Sequence, residues 1–215
     1  MIFENEKFVE IDLLLRRGGH VNRSSLAAYA WVKENFDELK AFYARYGCSL
    51  VQHPDGFYFM SLLNGLLRSR LLPKTCIHLG MFIALKARDP EITRSSGWLQ
   101  IPQLLQDIET SVPKETLQSV YAPGRKESVV DERISMEILA ALKILTELQF
   151  VEVNGQAIRP LESIQRFAEL ARHDNNPGDE TRMHLVVERG VVFDDALEDG
   201  EANGDSIQSS EEGAQ

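Results

Sequence analysis

The stretch AFYARYGCSLVQHPDGFYFM, residues 41–60, passes from a helical pattern through Gly47 into two short β-type runs, SLVQH and FYFMS, separated by Pro54-Asp55-Gly56. Proline in the second turn position and glycine in the fourth suit a type I turn with a bulge. A helix that runs through a glycine into a tight hairpin is the outline of a recognition helix and wing, the working end of a winged-helix domain.

Working outward, the preceding residues supply the other parts of that domain. Phe8, Ile11, Leu14 and Leu15 fall at helical spacing, and Arg16-Arg17 before Gly18-Gly19 forms a suitable C-terminal stop, so a first helix is predicted to end near residue 17. After the extended piece HVN, Ser24 or Ser25 can cap a second helix carrying Leu26, Tyr29, Ala30 and Val32. Asn35-x-x-Glu38 has the form of a capping box for a third, ending at Gly47.

The same grammar returns downstream, and two copies support each other better than either stands alone. Leu71-Leu72-Pro73 breaks the chain, and a helix is predicted from about Thr75 to Arg88. GWLQI reads as a short extended link, IPQLLQDIE as a helix, and residues 110–130, with two prolines and a glycine, as an irregular insertion. Asp131–Gln149 has the strongest helical stripe (Ile134, Ile138, Ala141, Leu142, Leu145, Leu148) and leads into FVEV, the hairpin turn Asn154-Gly155, and QAIRP. A last helix follows over Leu161–Arg172. The predicted fold is mainly α with short β-hairpins, an α+β chain of tandem winged-helix domains. The expected boundaries are residues 1–72, residues 73–172, a short ordered segment 173–193, and a tail 194–215.

The formal net charge of -10 is unevenly spread. Eight acids and no Lys or Arg follow from Asp194 onward, which leaves 25 acids against 23 bases in the first 193 residues. This Gly/Ser/Asn-rich tail has no aromatic residue to offset the entropy of ordering it, so it is expected to be disordered. It serves either solubility or competition with DNA for basic surface. No apolar run approaches the ~18 residues of a membrane span, and the N-terminus lacks a basic-then-apolar leader. The expected location is cytoplasmic. Cys48 and Cys76 have no CxxC or Cys/His spacing and read as reduced, buried thiols.

No phosphate loop, HExxH, GxSxG or framed acidic pair is present, and the five histidines lie in five different predicted elements. The expectation is therefore a protein that is not an enzyme and that needs neither metal nor cofactor. A tandem winged-helix DNA-binding transcriptional regulator is the alternative, and charge tests it. NFDELKAFYARY has two acids against Lys40 and Arg45, and DERISMEILAALKILTELQ has four against Arg133 and Lys143, so neither looks like a major-groove reader. Basic residues gather instead over 61–94, at +4, either as a phosphate-contacting strip or as ordinary solvated surface.

Six rings lie within eighteen residues: Phe42, Tyr43, Tyr46, Phe57, Tyr58 and Phe59. Strand alternation predicts Phe57 and Phe59 on the core side and Tyr58 outside. The candidate protein-interaction face is then Tyr43, Tyr46 and Tyr58; the competing reading is that all six are core.

The segment FYARYGCSLVQHPDGFYF, preceded by LRRGGHV and followed by the basic RSRLLPK link, resembles the MukE/MksE family, as does the later VERG before an acidic tail. The resemblance implies a homodimeric, non-catalytic accessory subunit of a bacterial SMC condensin, nucleoid-associated, acting in chromosome condensation and segregation or in plasmid defence. It further implies binding to a MukF/MksF-like kleisin and, through it, to a MukB/MksB-like SMC ATPase. Where the family's helix carries Arg and Lys for DNA, this chain has Glu137, Leu139, Ile144, Thr146 and Glu147. Candidate contacts to double-stranded DNA, non-specific in sequence, are therefore Arg68, Arg70 and Lys74, with Arg125, Lys126 and Arg133.

Overall fold

Asn5 opens the first helix, its Oδ1 accepting from the Lys7 N–H at 3.0 Å, and α1 runs Glu6–Arg16. Gly18, at φ +82°, ends it as a left-handed C-cap that a side chain would strain, while the Gly19 N–H returns to the Leu14 carbonyl at 2.9 Å. The chain continues through β1 (Val21–Asn22), α2 (Leu26–Glu34), α3 (Phe36–Ala44), β2 (Cys48–His53) and β3 (Phe57–Leu62). The structure is a computed structural model and describes residues 2–63, 71–94, 96–124 and 130–170. The predicted segment 173–193 and the tail 194–215 lie outside the described residues.

A second round has α4 (Lys74–Lys86), α5 (Pro90–Arg94), β4 (Leu99–Gln100), α6 (Ile101–Ser111), α7 (Lys114–Tyr121), α8 (Val130–Glu147), β5 (Val151–Asn154) and β6 (Ala157–Pro160). A 3-10 turn, Glu162–Ile164, leads into α9 (Gln165–Leu170). Each round builds one antiparallel three-stranded sheet with the last strand central, β1-β3-β2 and β4-β6-β5. In each, a two-residue strand before the helices pairs with the return strand of the hairpin, Val21 with Tyr58 and Leu99 with Ile158. The fold is mixed α and β, with helices predominating.

Two cores form. One gathers residues of the first round, from Ile2 to Tyr58; the other runs from Leu72 to Ala168. Helix α4 is buried continuously from Cys76 to Ala84, as a helix surrounded by others must be, and packs against α8, α7 and α9.

Three sequence expectations change. Residues 114–121 are helical: Pro113 sits at the cap, where a missing N–H costs nothing, and Leu117, Val120 and Tyr121 bury one face. The Asn35 capping box does not form, because the Asn35 side chain turns back and donates to the Trp31 carbonyl at 2.8 Å, closing α2 instead of opening α3. Strand β3 presents Tyr58 inward: it is fully buried in the first core, 4.9 Å from the Tyr29 ring and 5.7 Å from Phe36.

Phe57 and Phe59, on the opposite side of β3, are also buried: Phe57 lies 5.8 Å from the His20 ring, and Phe59 lies beneath Arg166 of the other module, where His20 also reaches across. There the His20 backbone N–H and ring Nδ1 both reach the Leu148 carbonyl, at 3.2 and 2.9 Å, and the ring lies 4.3 Å from Phe150. The Gln149 carbonyl accepts from Asn22 Nδ2 at 2.7 Å and Ser163 Oγ at 2.6 Å, and the Ser163 N–H donates to Asn22 Oδ1 at 2.9 Å. Arg166 donates from Nη1 to His20 Nε2 at 3.0 Å and lies 4.1 Å over the Phe59 ring. Carbonyls just past the C-terminus of α8, which a buried helix end would leave unpaired, are thus satisfied by side chains of the first module.

Gln149 holds its carbonyl in this position at φ +61°, a left-handed conformation that costs a side-chain-bearing residue about 1–2 kcal/mol. Gln149→Gly keeps the carbonyl and removes that strain. It is expected to raise unfolding stability by about 0.5–1 kcal/mol after the entropy of glycine is counted, read from the urea midpoint at unchanged slope.

Candidate interaction site

Position 8 of α1 faces α3, placing Phe8 edge-on to Phe42 at 5.5 Å, and Phe42 in turn meets Tyr46 at 5.2 Å. Arg16 Nε donates to both Asp12 carboxylate oxygens, at 2.8 and 2.9 Å, and its guanidinium lies 5.0 Å over the Tyr46 ring. The ion pair thereby holds Tyr46 from one side. On the adjoining face of α1, Val9 and Leu13, one helical turn apart, are 54% and 48% exposed, and Tyr46 is 43% exposed.

The three tyrosines predicted to share an outer face are therefore separated. Tyr43 and Tyr58 belong to the first core, and neither hydroxyl has a hydrogen-bond partner among the described residues. Burial raises the Tyr43 pKa, with the Asp12 charge adding to it, and burial with the neighbouring Tyr29 pushes Tyr58 up to about 12. Both stay neutral, amphipathic core residues. Tyr46 alone remains at the surface, and it gains Val9 and Leu13, which strand alternation could not supply. Their i, i+4 spacing on the polar side of α1 was the available signal.

The candidate DNA contacts divide differently. Lys74 is exposed at the start of α4, whereas Arg133 is tied to Glu137 one turn on. Arg68, Arg70, Arg125 and Lys126 lie outside the described residues. The outward side of α8 presents Met136 and Leu139, 53% and 46% exposed, with Lys143 and Glu147. Thr146 turns its Oγ1 to the Leu142 carbonyl at 2.8 Å. A thioether, a leucine and a balanced pair of charges give a DNA phosphate little to bind.

One His–carboxylate group crosses between modules: His53 Nε2 stands 3.1 Å from Glu169 and Nδ1 3.7 Å from Asp55, with the imidazole stacked on Phe57 at 4.3 Å. Their donor atoms lie within 4.8 Å of one another. The two ring nitrogens address different groups, Nε2 the Glu169 carboxylate and Nδ1 the Asp55 side, whose backbone N–H it also accepts at 3.3 Å, so the arrangement is not a set converging on one ion. Among the described residues no helix is long and apolar enough to cross a membrane.

The chain is similar to the chromosome partition protein MukE of Photorhabdus laumondii subsp. laumondii, 22% identical over 207 residues that cover 91% of this chain and 89% of the relative. It is similar also to MukE of Escherichia coli strain K12, 25% over 208 residues (92% and 89%), and of Vibrio cholerae, 26% over 167 residues (76% and 72%). A family model described as "Condensin complex protein MksE" matches residues 6–172, from the first turn of α1 to beyond α9. The chain therefore belongs to the MukE/MksE family of condensin complex proteins.

Proposed function

We propose that the chain is the non-catalytic accessory subunit of a MukBEF/MksBEF-type condensin, serving chromosome partition by binding the kleisin and, through it, regulating the SMC ATPase. The family match over both modules carries this reading. The printed name of the relatives, chromosome partition protein, supplies the process. On this reading residues 1–72 and 73–172 are tandem winged-helix domains. The repeated order helix, strand, two helices, hairpin supports it, with the insertions α5 and α7 confined to the second copy. The subunit is homodimeric, in keeping with the family resemblance, and works in the cytoplasm on the nucleoid.

The first module's outer patch, Val9, Leu13 and Tyr46, is the face we assign to the kleisin. Apolar area with a polar aromatic tip suits a protein partner, and the outward side of α8 likewise exposes Met136 and Leu139. The charge balance of α3 and α8 weighs against a sequence-reading regulator.

Co-expression with the kleisin of the same condensin, followed by gel filtration, tests the assignment. The two chains are expected to elute together, and Tyr46→Ala is expected to weaken the complex by about 2 kcal/mol, roughly 30-fold in Kd. Elution of the wild-type chain alone would remove the accessory-subunit reading. Unchanged affinity of the Tyr46 variant would move the contact elsewhere.

A further inference from the structure

The imidazole of His20 is enclosed by backbone and rings. Its ring Nδ1 and its own backbone N–H are both committed to the Leu148 carbonyl, and Phe150, Phe57 and Phe59 stand 4.3, 5.8 and 6.2 Å from the ring. The remaining contact is of another kind: Nε2 accepts from Arg166, whose guanidinium lies over Phe59. His20 is fully buried, whereas Arg166 is half-buried and hangs from α9 on a flexible stem.

The charged and titratable groups that bear on this ring are Arg166 from α9 and His53 from β2. His53 Nδ1 accepts the Asp55 N–H at 3.3 Å, so its Nε2 carries the proton and donates to Glu169 of α9 at 3.1 Å. A further proton on His53 leaves it between two carboxylates, Glu169 and Asp55, and tightens its hold on α9. A further proton on His20 has the opposite effect. An Nε2 that accepted becomes a donor, and it faces a guanidinium that can only donate.

Something must then give way, and the surroundings select which part. Helix α9 is anchored by Phe167, which is fully buried, packs 4.7 Å from Phe150 and fills the space above Gly80. The bonds among Asn22, Gln149 and Ser163 involve no titratable group, and Nδ1–H still donates to Leu148 after protonation. The Arg166 side chain is the one member of the contact with solvent beside it.

We infer that Arg166 is a proton-released arm: neutral His20 holds its guanidinium over Phe59, and protonated His20 expels it into solvent while α9 and the seam between the modules stay closed. Water takes the vacated place as acceptor for Nε2–H. Glu169, three residues on along α9, is within reach of the released guanidinium. The seam therefore presents an additional solvated cation in acid and withholds it at neutral pH. Burial, then Arg166, then His53 hold the His20 pKa below the usual value of about 6.5, so release occurs as pH falls through that lowered midpoint. This inference does not depend on the kleisin assignment.

An NMR titration of the full-length chain, from neutral pH to the onset of acid unfolding, tests it. The His20 Cε1–H signal is followed beside the Arg166 Nε–H and δ-methylene signals, which the Phe59 ring displaces upfield. The expected result is loss of that displacement at the His20 midpoint, while the amide signals of Leu13, Tyr46 and Gly80 keep their positions. In His20→Gln the displacement should persist over the same range, and in Arg166→Gln the His20 midpoint should rise. Displacement that outlasts His20 protonation, equal loss in His20→Gln, or an unmoved midpoint in Arg166→Gln would overturn the inference. So would a His20 that takes up its proton only as the whole chain unfolds, because the seam rather than the arm would then be the part that yields.

Discussion

Gly80→Ala is expected to destabilise the chain, although alanine is the better helix former by about 1 kcal/mol. Gly80 lies inside α4, and a Cβ built there falls 2.5, 2.6 and 2.7 Å from three atoms of the Phe167 ring. Those distances are below any ordinary carbon contact, so something must move. Phe167 cannot swing away freely: it is fully buried and packs 4.7 Å from Phe150, which lies against His20. Overpacking of this kind costs about 1–3 kcal/mol for a single methyl in a tight core, so a net loss of up to about 2 kcal/mol remains after the helix-propensity gain is subtracted. Gly80→Leu should be worse and leave no stable second module. Urea unfolding measures the first, and Gly80→Ala/Phe167→Leu supplies the control: if the ring is the obstacle, the double variant recovers much of the loss as a coupling energy. A Gly80→Ala protein more stable than wild type would show that α4 and α9 are not in the contact described.

His20→Ala is expected to cost about 3–4 kcal/mol, because the ring fills space, donates to a carbonyl and accepts from an arginine at once. The Leu148 carbonyl can only accept, so Nδ1 carries the proton; Arg166 can only donate, so Nε2 does not. The buried imidazole is therefore neutral. Burial is the largest reason its pKa is held well below the usual value, followed by the Arg166 cation; His53 adds to this, while the hydrogen bond to Leu148 opposes it. A base whose folded pKa is depressed binds fewer protons folded than unfolded. Its contribution is fully present above about pH 6.5 and is lost as pH falls toward the folded pKa, at a slope of up to about 1.4 kcal/mol per pH unit. Unfolding free energies measured from pH 7.5 to 5 should show this slope in wild type and a flatter profile in His20→Gln, whatever the variant's absolute stability. Equal slopes in the two proteins would mean that His20 does not carry the effect.

The junction where these effects concentrate was the part of the molecule least open to reading from sequence. Periodicity marked α1, α4 and α8 because each has a long apolar stripe, and Pro54-Asp55-Gly56 and Asn154-Gly155 marked the hairpins because tight turns demand those residues. Strand alternation correctly put Phe57 and Phe59 on one side of β3 and Tyr58 on the other, but it cannot tell which side is solvent when both are covered. Alternation with Phe57 and Phe59 on the core side puts Tyr58 outside; it is inside because Tyr29 and Phe36 surround it. His20, Asn22 and Ser163 are separated by more than a hundred residues from partners across the junction, a relation that no local pattern records. Helix α7 was legible after all, in Leu117, Val120 and Tyr121 behind a capping proline.

Strand β3 has a consequence for protein engineering. Its six residues furnish Tyr58 to one core and Phe57 and Phe59 to the seam with the next module, so the two repeats share a wall. Neither repeat is a transferable cassette. A chimera spliced at the linker, with one half taken from a relative only a quarter identical, would join a seam whose two sides were never matched to each other. Recombinants of this family should therefore tolerate crossovers within the tail and fail at the boundary that sequence periodicity makes look most natural.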